Sequence, residues 1–177
     1  EHSGALDPDR ELISVIARVL ASEIRKKKLQ EYLLRLSYQD QLTGIRNNTS
    51  YIRMLNDLLE HPVPVGVAFA DLNGLKYLND TYGHEYGDQA LRHLAEVSME
   101  YFEKDQLYRV SGDEFVIICP EVQEEVFIRQ AQLLKERLKQ EEQGLAAFGY
   151  LWNDGTTAAD RLLHSAERLM YQEKQQH

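Results

Sequence analysis

From Asp9 to Tyr38 the chain contains neither glycine nor proline, and Leu12, Val15, Ile16, Val19, Leu20 and Ile24 recur at helical spacing, followed by Leu29, Leu33 and Leu36. Apolar residues three and four apart share one face of a helix, so the pattern predicts one long helix here. Arg25-Lys26-Lys27-Lys28 interrupts the stripe and reads as a solvated face. An apolar stripe on so long a helix needs a partner, either an upstream domain or a second copy of the chain.

Beyond this helix the periodicity alternates. A helix is predicted from Asn48 to Glu60, then a buried strand from Val63 to Ala70 that ends at Asp71. A short helix follows at Leu75 to Asn79 and a longer one from Tyr86 to Phe102. Gln106 to Val110 and Glu114 to Cys119 read as two strands joined by Ser111-Gly112-Asp113, a tight hairpin with glycine at its turn. A helix from Val122 to Gln140, a strand from Leu145 to Trp152 and a helix from Ala158 to Lys174 complete the pattern. Split β-α-β units around an antiparallel hairpin predict an α+β, ferredoxin-like antiparallel sheet with helices packed on one side. Residues 1–39 are expected to form a linker or signalling helix and residues 40–177 the folded domain.

Composition narrows the classes. With 177 residues and 43% apolar content the chain can fill a core. The first 46 residues carry eight basic and seven acidic side chains; the remainder carries twelve and twenty-two. That acidic excess disfavours nucleic acid and anionic membrane as partners, since both recruit Lys and Arg patches. Cys119 is the only cysteine, which excludes an intrachain disulfide and a cysteine-based zinc site. No apolar run approaches the roughly 20 residues that span a bilayer, and no secretory signal pattern is evident, so a cytoplasmic location is expected.

Candidate chemistry sits at strand ends. Asp71 ends one strand, and Asp113 and Glu114 sit at a hairpin tip that a ferredoxin-like sheet can place beside the same rim. Converging carboxylates repel one another unless a cation or a proton neutralises them. Hard oxygen donors without His or Cys point to Mg²⁺ or Mn²⁺, and magnesium usually completes its shell with substrate phosphates. The constellation therefore points to phosphoryl or nucleotidyl transfer, although each carboxylate also suits an ordinary structural role. In Leu72-Asn73-Gly74-Leu75-Lys76 a strand turns into a helix through glycine, where free backbone N–H groups and Lys76 can bind phosphate oxygens; an Asn cap reads equally well. Asn79 and Asp88 bracket Gly83-His84-Glu85-Tyr86-Gly87. An amide carbonyl with a carboxylate can pair with guanine, while the same two residues also suit a helix end and a helix first turn. Neither GxxxxGK(S/T) nor GxGxxG occurs, and the histidines show no metal spacing.

Five motifs in order resemble the GGDEF domain of diguanylate cyclases. Asp40-Gln41-Leu42-Thr43-Gly44-Ile45-Arg46-Asn47 resembles DxLTGxxN, and Asp71-Leu72-Asn73-Gly74-Leu75-Lys76-Tyr77-Leu78-Asn79-Asp80 resembles DxDxFKxxND. Gly83 to Asp88 fits GHxxGD, Arg109 to Phe115 fits RxGGDEF with Ser111 for the first glycine, and Ala166 to Lys174 resembles ADxxMYxxK. The resemblance implies two GTP molecules joined into cyclic di-GMP across a homodimer, with an upstream sensor domain acting through the long helix. It implies that Asp71, the Leu72 carbonyl and Glu114 hold divalent metal, with Asp113 a ligand or base, in a catalytic turn that includes Ser111 and Gly112. It also implies that Asn79 and Asp88 recognise guanine, while Lys76, Lys174 and the backbone at Gly74 and Leu75 contact phosphates.

The departures are informative. Asn73 replaces the second Asp of DxD, Leu75 replaces Phe and Asn48 replaces Arg, but no implied metal ligand is lost. The family's product-inhibition motif RxxD here reads Phe102-Glu103-Lys104-Asp105, without its arginine, so product inhibition through it is not expected. The competing expectation is a catalytically silent GGDEF module that binds GTP or a partner for regulation or dimerisation.

Overall fold

The computed structural model describes residues 8–141 and 144–175; the expected domain limits at residues 1 and 177 lie outside them. The chain divides after Ser37 into two units. The first is carried by α1 (Pro8–Tyr38), an uninterrupted helix with Asp9 and Glu11 in its first turn and Arg35 in its last, the arrangement its dipole favours. Its apolar stripe stays exposed, with Leu12 at 58% and Leu33 at 53%.

The second unit is an α+β domain. In chain order it runs β1 (Arg46–Asn47), α2 (Asn48–Glu60), β2 (Val65–Leu72), α3 (Leu75–Tyr82), α4 (His84–Met99), β3 (Leu107–Arg109), β4 (Glu114–Pro120), α5 (Glu124–Gln140), β5 (Ala146–Asn153) and α6 (Ala159–Lys174). The sheet order is β1-β3-β4-β2-β5, antiparallel except where β1 runs parallel to β3. Two residues give β1 no period to read, and it was not expected. Asn47 begins α2 as its cap, its side chain accepting from the Ser50 N–H.

Helices cover both faces of the sheet, not one. Ala68, Ala70, Phe115 and Ile117 pack with Leu91 and Leu94 of α4 and with Phe127, Leu134 and Leu138 of α5. The alternate residues Val67, Phe69, Val116 and Ile118 pack with Leu58 of α2 and with Leu162, Leu163 and Met170 of α6. The period of two along a strand sorts these sets. Every residue of β2 is buried, as a strand sandwiched between two layers must be. Each fully buried side chain such as Phe127 or Leu134 contributes about 1.5–3 kcal/mol of transfer free energy.

β5 is an edge strand, and side chains from both layers close over it. Lys135 of α5 donates to the Phe148 carbonyl, the Phe148 N–H donates to Glu173 of α6, and Glu173 pairs with Lys135 (2.9 Å) and Lys139 (3.0 Å). The tie satisfies an otherwise open strand edge and fixes the end of α6, where Lys174 sits.

Candidate active site

In the antiparallel register of β2 and β4, Asp71 stands opposite Glu114. Directly opposed residues on such a pair have Cβ atoms roughly 5 Å apart, so the fold itself brings these two carboxylates together. Asp113 is held beside them by its backbone, whose carbonyl accepts from the Leu72 N–H (3.0 Å). Lys174 arrives from the last turn of α6, 103 residues away in sequence, and donates through Nζ to Asp71 Oδ1 at 2.5 Å.

The electrostatics follow from that geometry. Burial pushes the Asp71 carboxyl above its ordinary range and the charges of Asp113 and Glu114 push the same way, outweighing Lys174. Burial pulls the Lys174 ammonium down, but its bond to Asp71 and the three nearby carboxylates hold it above its usual value. The rim is thus short of positive charge, and Lys174 is the cation that now answers it.

The turn between β3 and β4 is fastened by Arg109. Its Nε and Nη2 donate to the Gly112 carbonyl (3.0 and 2.7 Å), and its Nη1 donates to Asp40 Oδ1 (3.1 Å). Burial raises Asp40, yet the Thr43 hydroxyl and amide together with Arg109 hold it below its ordinary value. Motif matching named Arg109 and Asp40 without giving either a role; the signal was an Arg two residues before the turn and an Asp opening the first motif, with nothing local to pair them. Neither Ser111 nor Gly112 adopts positive φ, and a Cβ on Gly112 would meet open space. The expectation that turn geometry requires glycine at 112 is therefore corrected, and serine at 111 is conformationally harmless. Ser111 Oγ donates to Glu114 Oε2 at 2.5 Å.

Gly74 precedes α3 with φ 67°, a left-handed conformation that glycine adopts without strain, and no side chain caps the first backbone N–H groups of α3. Lys76 is exposed on that first turn, and Leu75 packs against the core. The packing of α3 on α4 brings Asn79 against Gly87, the residue before Asp88: a Cβ added to Gly87 would lie 2.0 Å from Asn79 Oδ1. Glycine at 87 is thus what lets Asn79 approach the turn of α4 that carries Asp88. Asn73 donates to the Gly144 carbonyl and serves the fold. Asp105 does find an arginine, because Arg46 of β1 pairs with it at 3.1 Å, so the premise that it lacks one fails in space.

The donors at the rim are hard oxygens around a buried, charge-deficient carboxylate, and they fit a divalent cation. Among the described residues no three acidic, His or Cys side chains are already gathered around a common point; Asp71 accepts from Lys174 and Glu114 from Ser111. A cavity of about 710 Å³ between α2 and the β3–β4 strands is lined by Arg46, Arg53 and Tyr108 and contains none of the rim carboxylates.

Residues 37–177 match the family described as diguanylate cyclase, GGDEF domain. The chain belongs to the GGDEF family. It is 29% identical over 191 residues to diguanylate cyclase DgcP of Escherichia coli, covering 93% of this chain and 54% of that protein. It is 30% identical over 178 residues to diguanylate cyclase DgcS of Shewanella oneidensis, covering 88% of this chain and 58% of that one. A 32% match to the cyclic di-GMP phosphodiesterase PdeR of Escherichia coli covers 64% of this chain but 18% of PdeR. The chain thus spans between 18% and 58% of the length of these relatives. In fold it matches the coiled coil and GGDEF domain of DgcB from Caulobacter crescentus, with TM-score 0.74, 20% identity, and 93% and 94% of the two chains covered.

Proposed function

We propose that this GGDEF domain, residues 40–177, is a diguanylate cyclase that joins two GTP molecules into cyclic di-GMP and releases two pyrophosphates. In each half-reaction a 3′-oxygen forms a bond to the other nucleotide's α-phosphorus, the α–β bridging P–O bond breaks, and the 3′-hydroxyl proton leaves to a base. The observation that carries this reading is the opposition of Asp71 and Glu114 at a charge-deficient rim beside Asp113.

Asp71, Glu114 and the Leu72 carbonyl would hold Mg²⁺ or Mn²⁺, with Asp113 a further ligand or the base beside the attacking hydroxyl. The ion supplies Lewis acidity and a template for in-line displacement. Asn79 and Asp88 orient guanine, and Lys76 with the N–H groups after Gly74 steadies the triphosphate. A second positive charge at Asp71 removes the reason for Lys174 to stay there, which frees it to reach phosphate. Because each GTP is attacked by the other, two sites must face each other, and the active unit is a homodimer.

α1 suits that pairing. Leu12, Val15, Val19, Ser22, Lys26, Leu29, Leu33 and Leu36 follow strict three- and four-residue steps, the seam of a coiled coil. In a parallel pair Arg18 of one helix faces Glu23 of the other, which favours that orientation. Residues 1–39 are then the link from an upstream sensor domain.

Incubating the full chain with GTP and Mg²⁺ and separating products by chromatography tests the reading. Cyclic di-GMP and pyrophosphate in a 1:2 ratio are expected, lost in Asp71→Asn and Glu114→Gln. The engagement of Asp71 by Lys174 favours one alternative, a silent module; GTP binding without product would establish it.

A further inference from the structure

We propose that Ser111, the residue by which this chain departs from its signature motif, is a positioning residue for the metal: it holds Glu114 by one carboxylate oxygen and leaves the other turned to a cation shared with Asp71. The inference rests on the metal-dependent reading above. Three observations carry it. The hydroxyl donates to Oε2, at 2.5 Å, and not to Oε1. The serine backbone is itself fixed, since its carbonyl accepts from the Glu114 N–H, the Val110 N–H donates to the Glu114 carbonyl, and Arg109 clamps the Gly112 carbonyl. Serine is not needed by the turn, whose φ values any residue can adopt, so the hydroxyl is the part with work to do.

A glycine here would leave Glu114 to choose among its rotamers before each binding event. A neutral hydroxyl does not compete with a dication as the Lys174 ammonium does; it removes freedom from a side chain whose backbone position stands opposite Asp71. Outer hydrogen bonds of this kind are typically worth ten- to a hundredfold in metal affinity.

The test uses the full chain and Mn²⁺ alone, followed by electron paramagnetic resonance, with thermal unfolding alongside. Ser111→Ala and Ser111→Gly are expected to weaken Mn²⁺ binding about tenfold with an unchanged unfolding midpoint, and Ser111→Thr, which keeps the hydroxyl, to bind as the parent does. Equal or tighter Mn²⁺ binding by both Ala and Gly variants overturns the proposal, as does a Thr variant no better than Ala. If the parent chain binds no Mn²⁺ either alone or with GTP present, the metal-dependent reading itself falls. If it binds Mn²⁺ and makes cyclic di-GMP while all three variants match it, only the role of Ser111 is lost.

Discussion

Arg109 shows what a single residue contributes that motif matching does not reveal. Its guanidinium spans two oxygens that are far apart in sequence, the Gly112 carbonyl and the Asp40 carboxylate. A lysine has no planar fork and can serve only one of them. Arg109→Lys is therefore expected to cost about 1–3 kcal/mol in urea unfolding and to lower cyclic di-GMP formation more than it raises the KM for GTP. Glu173 gives a pH prediction. Burial raises its carboxyl, but Lys135, Lys139 and the Phe148 N–H hold it below its ordinary value of 4.5. A depressed folded value means that the unfolded chain binds the proton first as pH falls. The stabilisation is complete above the unfolded value and disappears as pH drops through the folded one. Urea unfolding from about pH 7 to about pH 3 should show Glu173→Gln losing stability at the upper end and converging on the parent at the lower. Residues with a local partner or a motif were legible, as with Asp71 at its strand end. Bonds between residues distant in sequence, such as Asp40 to Arg109 and Arg46 to Asp105, leave no periodic trace.

At the level of elements the long periodic segments were readable because burial imposes the period. The helices at Asn48–Glu60 and Ala159–Lys174 fall within a residue of their expected limits. The junction of α3 and α4 was harder: the helices run to Tyr82 and from His84, with only Gly83 at φ 91° between them, so neither the Asn79 end nor the Tyr86 start was right. The packing of helices on both faces was also missed, although Val65 to Ala70 without a polar residue was a sign that neither face of that strand meets water. The seam of α1 carries its own prediction. Lys26 is a charged residue at a core position of the paired helix, a choice that weakens the coil and limits its alternatives. Lys26→Leu is expected to tighten self-association in sedimentation equilibrium at least severalfold, whereas Lys27→Leu, off the seam, leaves it unchanged.

For the whole molecule, the candidate site lies at one end of the sheet, assembled from β2, the β3–β4 turn and the end of α6, while the paired α3 and α4 carry Asn79 and Asp88, the residues proposed to recognise guanine. Under the proposed reaction one chain supplies half of the active unit. Specific activity should therefore fall on dilution below the dimer dissociation constant and recover on concentration, with a second-order dependence on chain at the low end. An activity independent of dilution, in a chain that sediments as a monomer, would contradict the two-copy requirement. At the entry to the domain the Tyr38 carbonyl accepts from Ser50 at the start of α2, and Asp40 binds Arg109 at the signature turn. The contact from α6 is more direct. The residue that answers the buried acid of β2 is the last one of that helix, so anything tethered behind it holds the site on a short leash. Displacing that last turn would remove the counter-charge from Asp71.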